Sequence, residues 1–352
     1  MANQAGAANT WTEARSDAMG GTGVAAGTYG SGTLINPALL AKAKPDDGIT
    51  VILPSIGAQI SDKDNLRDKI DDISDDVSRY RSTLDNINLI DLLNPLSPAS
   101  QQVSSAAGDL ADQLDSLKGK TASGKAGGGI AVSIPNDVLS VAFVAKANAR
   151  ARVSSYIDQG DIDILRGVEA VPATALTVNP NNLKSKGFGR AAIVSDYGVT
   201  VARQFDISGV PVSLGITPKL QKTWLYNYTV SIYNFDSGDI NSSRYRNDDT
   251  GFNVDAGLAA DFGENWTVGL TGQNLFSRDI DTKEVDGVRD TYQISPVVTA
   301  GAAWHTDLLT LTADGDLTET KGFKSEDTSQ YVGVGAEVTP LSWLAVRAGY
   351  RA

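Results

Sequence analysis

From about residue 126 to the C-terminus, apolar and polar residues alternate with a period of two, which gives strands with one apolar and one polar face. Between Leu139 and Val153 the odd positions read Leu139, Val141, Phe143, Ala145, Ala147, Ala149, Ala151 and Val153, while the even ones include Ser140, Lys146, Asn148, Arg150 and Arg152. The same split runs from Phe252 to Phe262, Tyr292 to Trp304, Leu309 to Leu317 and Val332 to Val338. The pattern predicts about eleven strands, near 49–60, 126–134, 138–156, 187–206, 210–233, 250–262, 265–277, 290–305, 308–319, 329–338 and 342–351. Many exceed the usual length of about five or six residues in soluble sheets. They suit strands tilted across roughly 30 Å of hydrocarbon.

One region has a different period. Leu66, Ile70, Ile73, Val77, Tyr80 and Leu84 recur at three and four, with Asp, Lys and Arg between them, which is one apolar stripe on a helix. Asp62 is a candidate N-cap, Pro95 and Pro98 interrupt the stripe, and Val103, Ala106, Leu110, Leu114 and Leu117 restart it. The segment 62–118 is therefore expected to be an antiparallel helical hairpin inserted after the first strand.

Three features favour a membrane barrel over a soluble sandwich. The connections alternate between short turns, near 135, 208, 263, 306 and 340, and long polar loops near 157–186, 234–248, 278–290 and 319–328. Aromatic residues collect at strand ends: Phe205, Phe262, Trp266, Trp304 and Trp343 by the short turns, and Trp224, Tyr226, Tyr228 and Tyr233 by the long loops. The polar faces carry charges of both signs, as a hydrated lumen would. Counted from a rising first strand, the eleventh also rises, and the pattern stops at RAGYRA. Single-chain bacterial barrels close with an even number of strands, so either at least one further strand follows or one strand within the chain is uncounted.

Composition then removes classes of chemistry. With 352 residues, no cysteine and one histidine, the chain can hold no disulfide, thiolate metal site or histidine cluster. The formal charge of −12 opposes nucleic-acid binding. No run approaches the roughly 18 apolar residues of a spanning helix, but that scan is blind to two-faced strands. The N-terminus lacks the basic and apolar regions of a signal peptide, so an exported chain is expected to begin here as the mature sequence.

The run Ala14-Arg15-Ser16-Asp17-Ala18-Met19-Gly20-Gly21-Thr22-Gly23-Val24-Ala25, followed by Asn36-Pro37-Ala38-Leu39-Leu40, resembles the start of the FadL-like outer-membrane barrels. Together with the helical insertion and later hairpins, the chain is most similar to the branch of TraF-type plasmid conjugal transfer proteins. The resemblance implies an all-β fold, a transmembrane antiparallel up-and-down barrel of 14-stranded family type. Residues 1–45 would form a hatch within a barrel built from 46–352, three strands short here. Gly20, Gly21, Asn36, Pro37 and Ala38 match the hatch, the glycines allowing tight turns and Asn-Pro an Asx turn. In the fatty-acid members the hatch blocks the lumen and substrates leave sideways through the wall. No ligand-pocket residue matches, so fatty-acid transport is not inherited.

The expected function is a gated conduit for a small or hydrophobic solute in a Gram-negative outer membrane, with a link to conjugal transfer, and with the bilayer and its lipopolysaccharide as surroundings. Lys146, Arg150 and Arg152, set against Asp255, Asp314 and Asp316, are expected to line the lumen and impose a transverse field. The rival is a barrel-anchored scaffold presenting 62–118 to a conjugation or secretion partner. No enzyme, catalytic residue, metal or cofactor is expected. His305 lies in a turn without a nucleophile beside it, and Gly127-Gly128-Gly129 matches no dinucleotide fingerprint. Asp158, Asp161 and Asp163, and Asp236 and Asp239, offer hard ligands for calcium without EF-hand spacing.

Overall fold

In a computed structural model, residues 13–44, 47–62, 64–179, 182–234, 242–341 and 343–352 are described. The main sheet contains β1 (Thr50–Ser61), β2 (Thr121–Ile134), β3 (Ser140–Tyr156), β4 (Lys186–Ile207), β5 (Val210–Ser231), β6 (Arg246–Phe262), β7 (Trp266–Gln273), β10 (Val297–His305), β11 (Leu309–Asp316), β12 (Val332–Leu341) and β13 (Leu344–Arg351). Every neighbouring pair is antiparallel and the order is sequential. This is the predicted up-and-down meander, with short turns at one end and long loops at the other. β1 and β13 end the ladder and do not pair with each other.

The two faces of the wall follow parity. On β5, Ser213, Thr217, Lys219, Gln221, Thr223, Asn227 and Thr229 are all buried, while Leu214, Ile216, Leu220 and Trp224 are exposed on the other face. A soluble sheet buries its apolar face; here the polar face is the covered one, which is the inversion a lipid-facing barrel requires. The sheet curls around residues 14–42. That one short segment packs on Thr50 and Ile52 of β1, on Gly215 of β5, and on Gly349 and Tyr350 of β13.

Several predicted strands differ in their bounds, β2 starting five residues earlier than expected, at Thr121, and β6 four earlier, at Arg246. The strand expected at 290–305 breaks at Pro296, which has no N–H to offer the ladder. Its first part, β9 (Thr291–Ile294), leaves the wall and pairs with β8 (Arg278–Asp281), inside what had read as loop. Alternation is unbroken from Tyr292 through Pro296 to Trp304, so periodicity alone cannot see this exit. The strand predicted at 265–277 stops at Gln273, where Asn274 takes a left-handed φ of 54°. The strand predicted at 329–338 is shifted to 332–341.

The insertion folds as α2 (Leu66–Asp85), α3 (Leu89–Leu92) and α4 (Pro98–Leu117). The Asp62 carboxylate accepts the Leu66 N–H at 2.6 Å although Asn65 is the residue at the cap position. Both predicted stripes form one core with α5 (Gln159–Ala170), a helix missed in the loop after β3. Its signals were Asp158, which accepts the Gly160 N–H as N-cap, and Ile162, Leu165 and Val168 behind it. Tyr233, expected in an aromatic girdle, joins this core, and Tyr228 is buried against Tyr245. Phe205, Phe262, Trp266 and Trp343 remain exposed at strand ends, whereas Trp224, also exposed, lies well inside β5.

Candidate functional site

The short helix α1 (Ala14–Ala18) ends at two glycines with φ of 74° and 83°, Gly20 and Gly21. A residue with a Cβ is strained there. Gly21 N–H donates to Ser16 O at 2.8 Å, Gly20 O accepts from Tyr331 Oη at 2.6 Å, and the chain turns into the lumen. Further on, Asn36 Oδ1 accepts the Ala38 N–H at 3.0 Å, and Pro37 opens a 3-10 turn, Pro37–Lys42. Asn36 Nδ2 donates back to Val24 O at 2.8 Å and across to Leu258 O of β6 at 3.1 Å. Asn36 and Ala38 are fully buried.

The wall is shaped to receive this segment. Inward-facing glycines come in cross-strand pairs: Gly215 with Gly257, Gly269 with Gly301, and Gly335 with Gly349. A Cβ on Gly269 would stand 2.5 Å from Val24 O, and one on Gly335 would stand 2.5 Å from Met19 O. At Gly257 and Gly215 it would strike Asn36 and Pro37. Close approach of two backbones is what excludes a side chain at these positions.

Polar contacts fix the segment at both ends. Asp314 Oδ2 of β11 accepts the N–H groups of Gly23 and Val24 at 2.7 and 2.9 Å. Arg15 makes a two-pronged pair with Glu337 of β12, at 3.0 and 2.8 Å, and Arg347 bonds the same carboxylate. Lys42 reaches Asp261 of β6 at 2.5 Å. Charge-assisted bonds of this type each contribute about 1.5–3 kcal/mol. They hold firmly yet stay non-covalent, and the chain contains no disulfide to lock the segment.

Above the hatch lies an ionic layer. Lys219 Nζ sits 2.8 Å from both Asp196 and Asp255, and Lys146 Nζ sits 3.4 Å from Asp255. Gln221 Nε2 donates to Asp196 Oδ1 at 2.9 Å and to Asn274 Oδ1 at 3.0 Å, while Asn274 N–H donates to Asp255 at 2.8 Å. Gln273 Nε2 joins the layer to the hatch by donating to Ile35 O at 3.1 Å. Two lysines and two aspartates balance, as burial of charge demands. At this level the side chains expected to face a hydrated lumen are packed and paired instead.

The outer mouth is filled as well. The β8–β9 hairpin and the loop 317–331 fold inward, so that Ile280, Ile294 and Phe323 pack on Ala192 and Leu225. Arg278 pairs with Asp249, Arg190 lies 3.0 Å from Asp290, and Arg150 lies 3.6 Å from Glu326. Of the six expected lumen residues, Lys146 and Asp255 meet. Arg150 turns to the outer loop, Asp314 holds the hatch, and Asp316 accepts the Thr299 hydroxyl at 2.6 Å. Arg152, half-buried on β3, stands opposite Ser123 and Arg190. Sequence reasoning missed Arg15, Glu337, Lys219 and Gln221. The signal for the last two was the polar row Thr217, Lys219, Gln221 and Thr223 on β5.

Among the described residues no cluster of carboxylates or imidazole could hold a metal ion. Asp161 accepts the N–H groups of Lys184 and Ser185 at 2.9 and 2.7 Å, which ties α5 to the start of β4. Asp236 and Asp239 lie outside the described residues. His305 ends β10, its carbonyl accepting from Asn265 Nδ2 at 2.7 Å.

Among solved structures, the ferric-catecholate import receptor Fiu from E. coli K12, in its open form, is 10% identical with a TM-score of 0.32, covering 66% of this chain and 40% of that one. The deltaS2 mutant of the monoaromatic hydrocarbon channel TodX is 11% identical with a TM-score of 0.31, covering 96% and 91%. No curated protein matches. The family described as the F plasmid transfer operon TraF protein matches residues 33–316, from the hatch through β11. With most of its length matched, the chain belongs to the TraF family of the F plasmid transfer operon.

Proposed function

We propose that the chain is an outer-membrane β-barrel acting as a hatch-gated conduit for a small or hydrophobic solute, without covalent chemistry, in the service of conjugal transfer. The observation that carries this reading is the N-terminal segment held in the lumen by a few charge-assisted bonds over a glycine-lined socket. The glycine rows keep the surface smooth, and the Asp314 and Glu337 carboxylates are two of the anchors that release must break. Small-solute efflux from liposomes tests it: the double variant Asp314→Asn, Glu337→Gln should leak faster than the parent. Equal leak rates for correctly folded proteins would count against gating.

One observation favours the scaffold reading as a second function. At the tip of the helical hairpin, Leu89, Ile90, Leu93 and Leu96 are 54–83% exposed, a patch that invites a partner. Deleting 66–117 separates the two. Loss of transfer with unchanged solute flux would place the function in the hairpin.

A further inference from the structure

The outward face carries one feature that a smooth lipid-facing wall does not need. Across β1–β4 runs a trough of about 390 Å³, floored by Gly128, Ala145, Ala147 and Ala149 and walled by Ile56, Ile130, Ile193 and Tyr197. Its central row is Ile56, Gly128, Ala147 and Ser195, paired in turn across the strands. Its volume falls in the roughly 300–1,000 Å³ range that small ligands occupy.

Ser195 is the anomaly. Its parity sends the side chain outward into the trough, it is only 8% exposed, and its hydroxyl makes no hydrogen bond to the described residues. A hydroxyl facing hydrocarbon without a partner is unfavourable, because no water is there to satisfy it. The next residue in the row, on β5, is Lys222, whose ammonium lies 5.4 Å over the Trp224 ring and 2.9 Å from Asp248. Lysine and tryptophan together mark the headgroup level of a bilayer. The row therefore presents an apolar groove, a hydrogen-bond donor and a solvent-accessible lysine–aspartate pair in that order.

We propose that this trough binds one acylated, phosphate-bearing lipid of the leaflet on the long-loop side. An acyl chain lies on the alanine floor, an ester or amide carbonyl accepts from Ser195 Oγ, and the phosphate takes the place of the exposed Asp248 carboxylate at Lys222. The site is separate from the lumen and stands on the reading that this wall faces lipid, independently of any gating.

Native mass spectrometry of the full chain, extracted in mild detergent and then offered a diacyl phospholipid or decanoate, tests the site. The parent should retain one phospholipid through washing and should not retain decanoate. Ala147→Phe, which fills the floor, should abolish retention, and Ser195→Ala, which leaves the shape unchanged, should weaken it several-fold. A mobility shift between boiled and unboiled samples verifies that each variant is folded. Equal retention in the parent and both variants would overturn the proposal, as would preference for decanoate over the phospholipid.

Discussion

At the scale of single residues, the sharpest claim concerns close approach. Gly257 stands where any Cβ meets Asn36, and Asn36 is itself fully buried with its amide committed to Val24 and Leu258. Gly257→Val should therefore loosen the hatch around Asn36 as well as strain the wall. Limited proteolysis should cut within 14–42 faster in this variant while the barrel keeps its heat-modifiable mobility. The overpacking cost is about 1–3 kcal/mol, comparable to one of the polar contacts holding the hatch. Lys219 behaves differently. Removing it leaves Asp196 and Asp255 facing each other with only Lys146 to balance them. Lys219→Ala should lower unfolding stability by about 3–5 kcal/mol, as for other broken buried pairs. A loss below 1 kcal/mol in denaturant titration would show that the ionic layer is hydrated in solution.

At the scale of elements, the helical lobe is a core of its own, built on α2, α4 and α5, and it carries a testable oddity. The Tyr80 hydroxyl is buried in it without a hydrogen-bond partner. Burial pushes its pKa up from 10.0 to about 12. A group whose folded pKa is raised contributes full stability below its unfolded value and loses it as pH rises through the folded one. The lobe should therefore keep its stability to pH 10 and lose it between there and pH 12, as read by far-UV circular dichroism of helix content. Tyr80→Phe should weaken that dependence and leave stability at pH 7 unchanged or slightly higher, because it removes an unsatisfied hydroxyl.

This is also the scale at which legibility in the sequence can be judged. The stripes Leu66 to Leu84 and Val103 to Leu117, and the alternation from Leu139 to Val153, are local patterns, and the fold follows them. Helix α5 was written in equally local signals, but its acids drew attention as ligands when Asp158 and Asp161 in fact cap and tie the helix. The β8–β9 hairpin was not legible, because Pro296 ends the wall without breaking parity. The hatch could be placed by its Gly-Gly and Asn-Pro turns. Its partners Asp314 and Glu337 lie some three hundred residues away, and nothing near them in the sequence announces the contact.

At the scale of the molecule, three layers close the lumen: the hatch, the ionic layer and the inward-folded outer hairpin. The layers are linked, since Gln273 bonds the hatch at Ile35 and neighbours Asn274, which bonds both Gln221 and Asp255. Movement of the hatch is thus expected to disturb the layer above it, and under the proposed conduit function a solute would pass only once both give way. The measurement that tests this most directly is ion conductance across a planar bilayer for three proteins: the parent, a variant lacking 13–44, and one lacking 13–44 and the hairpin 278–294 in which Lys146, Asp196, Lys219 and Asp255 are also replaced by alanine. A closed parent, at most brief openings without the hatch alone, and a steady pore once all three layers are gone are expected. A parent that already conducts, or a third protein that is folded yet silent, would contradict this.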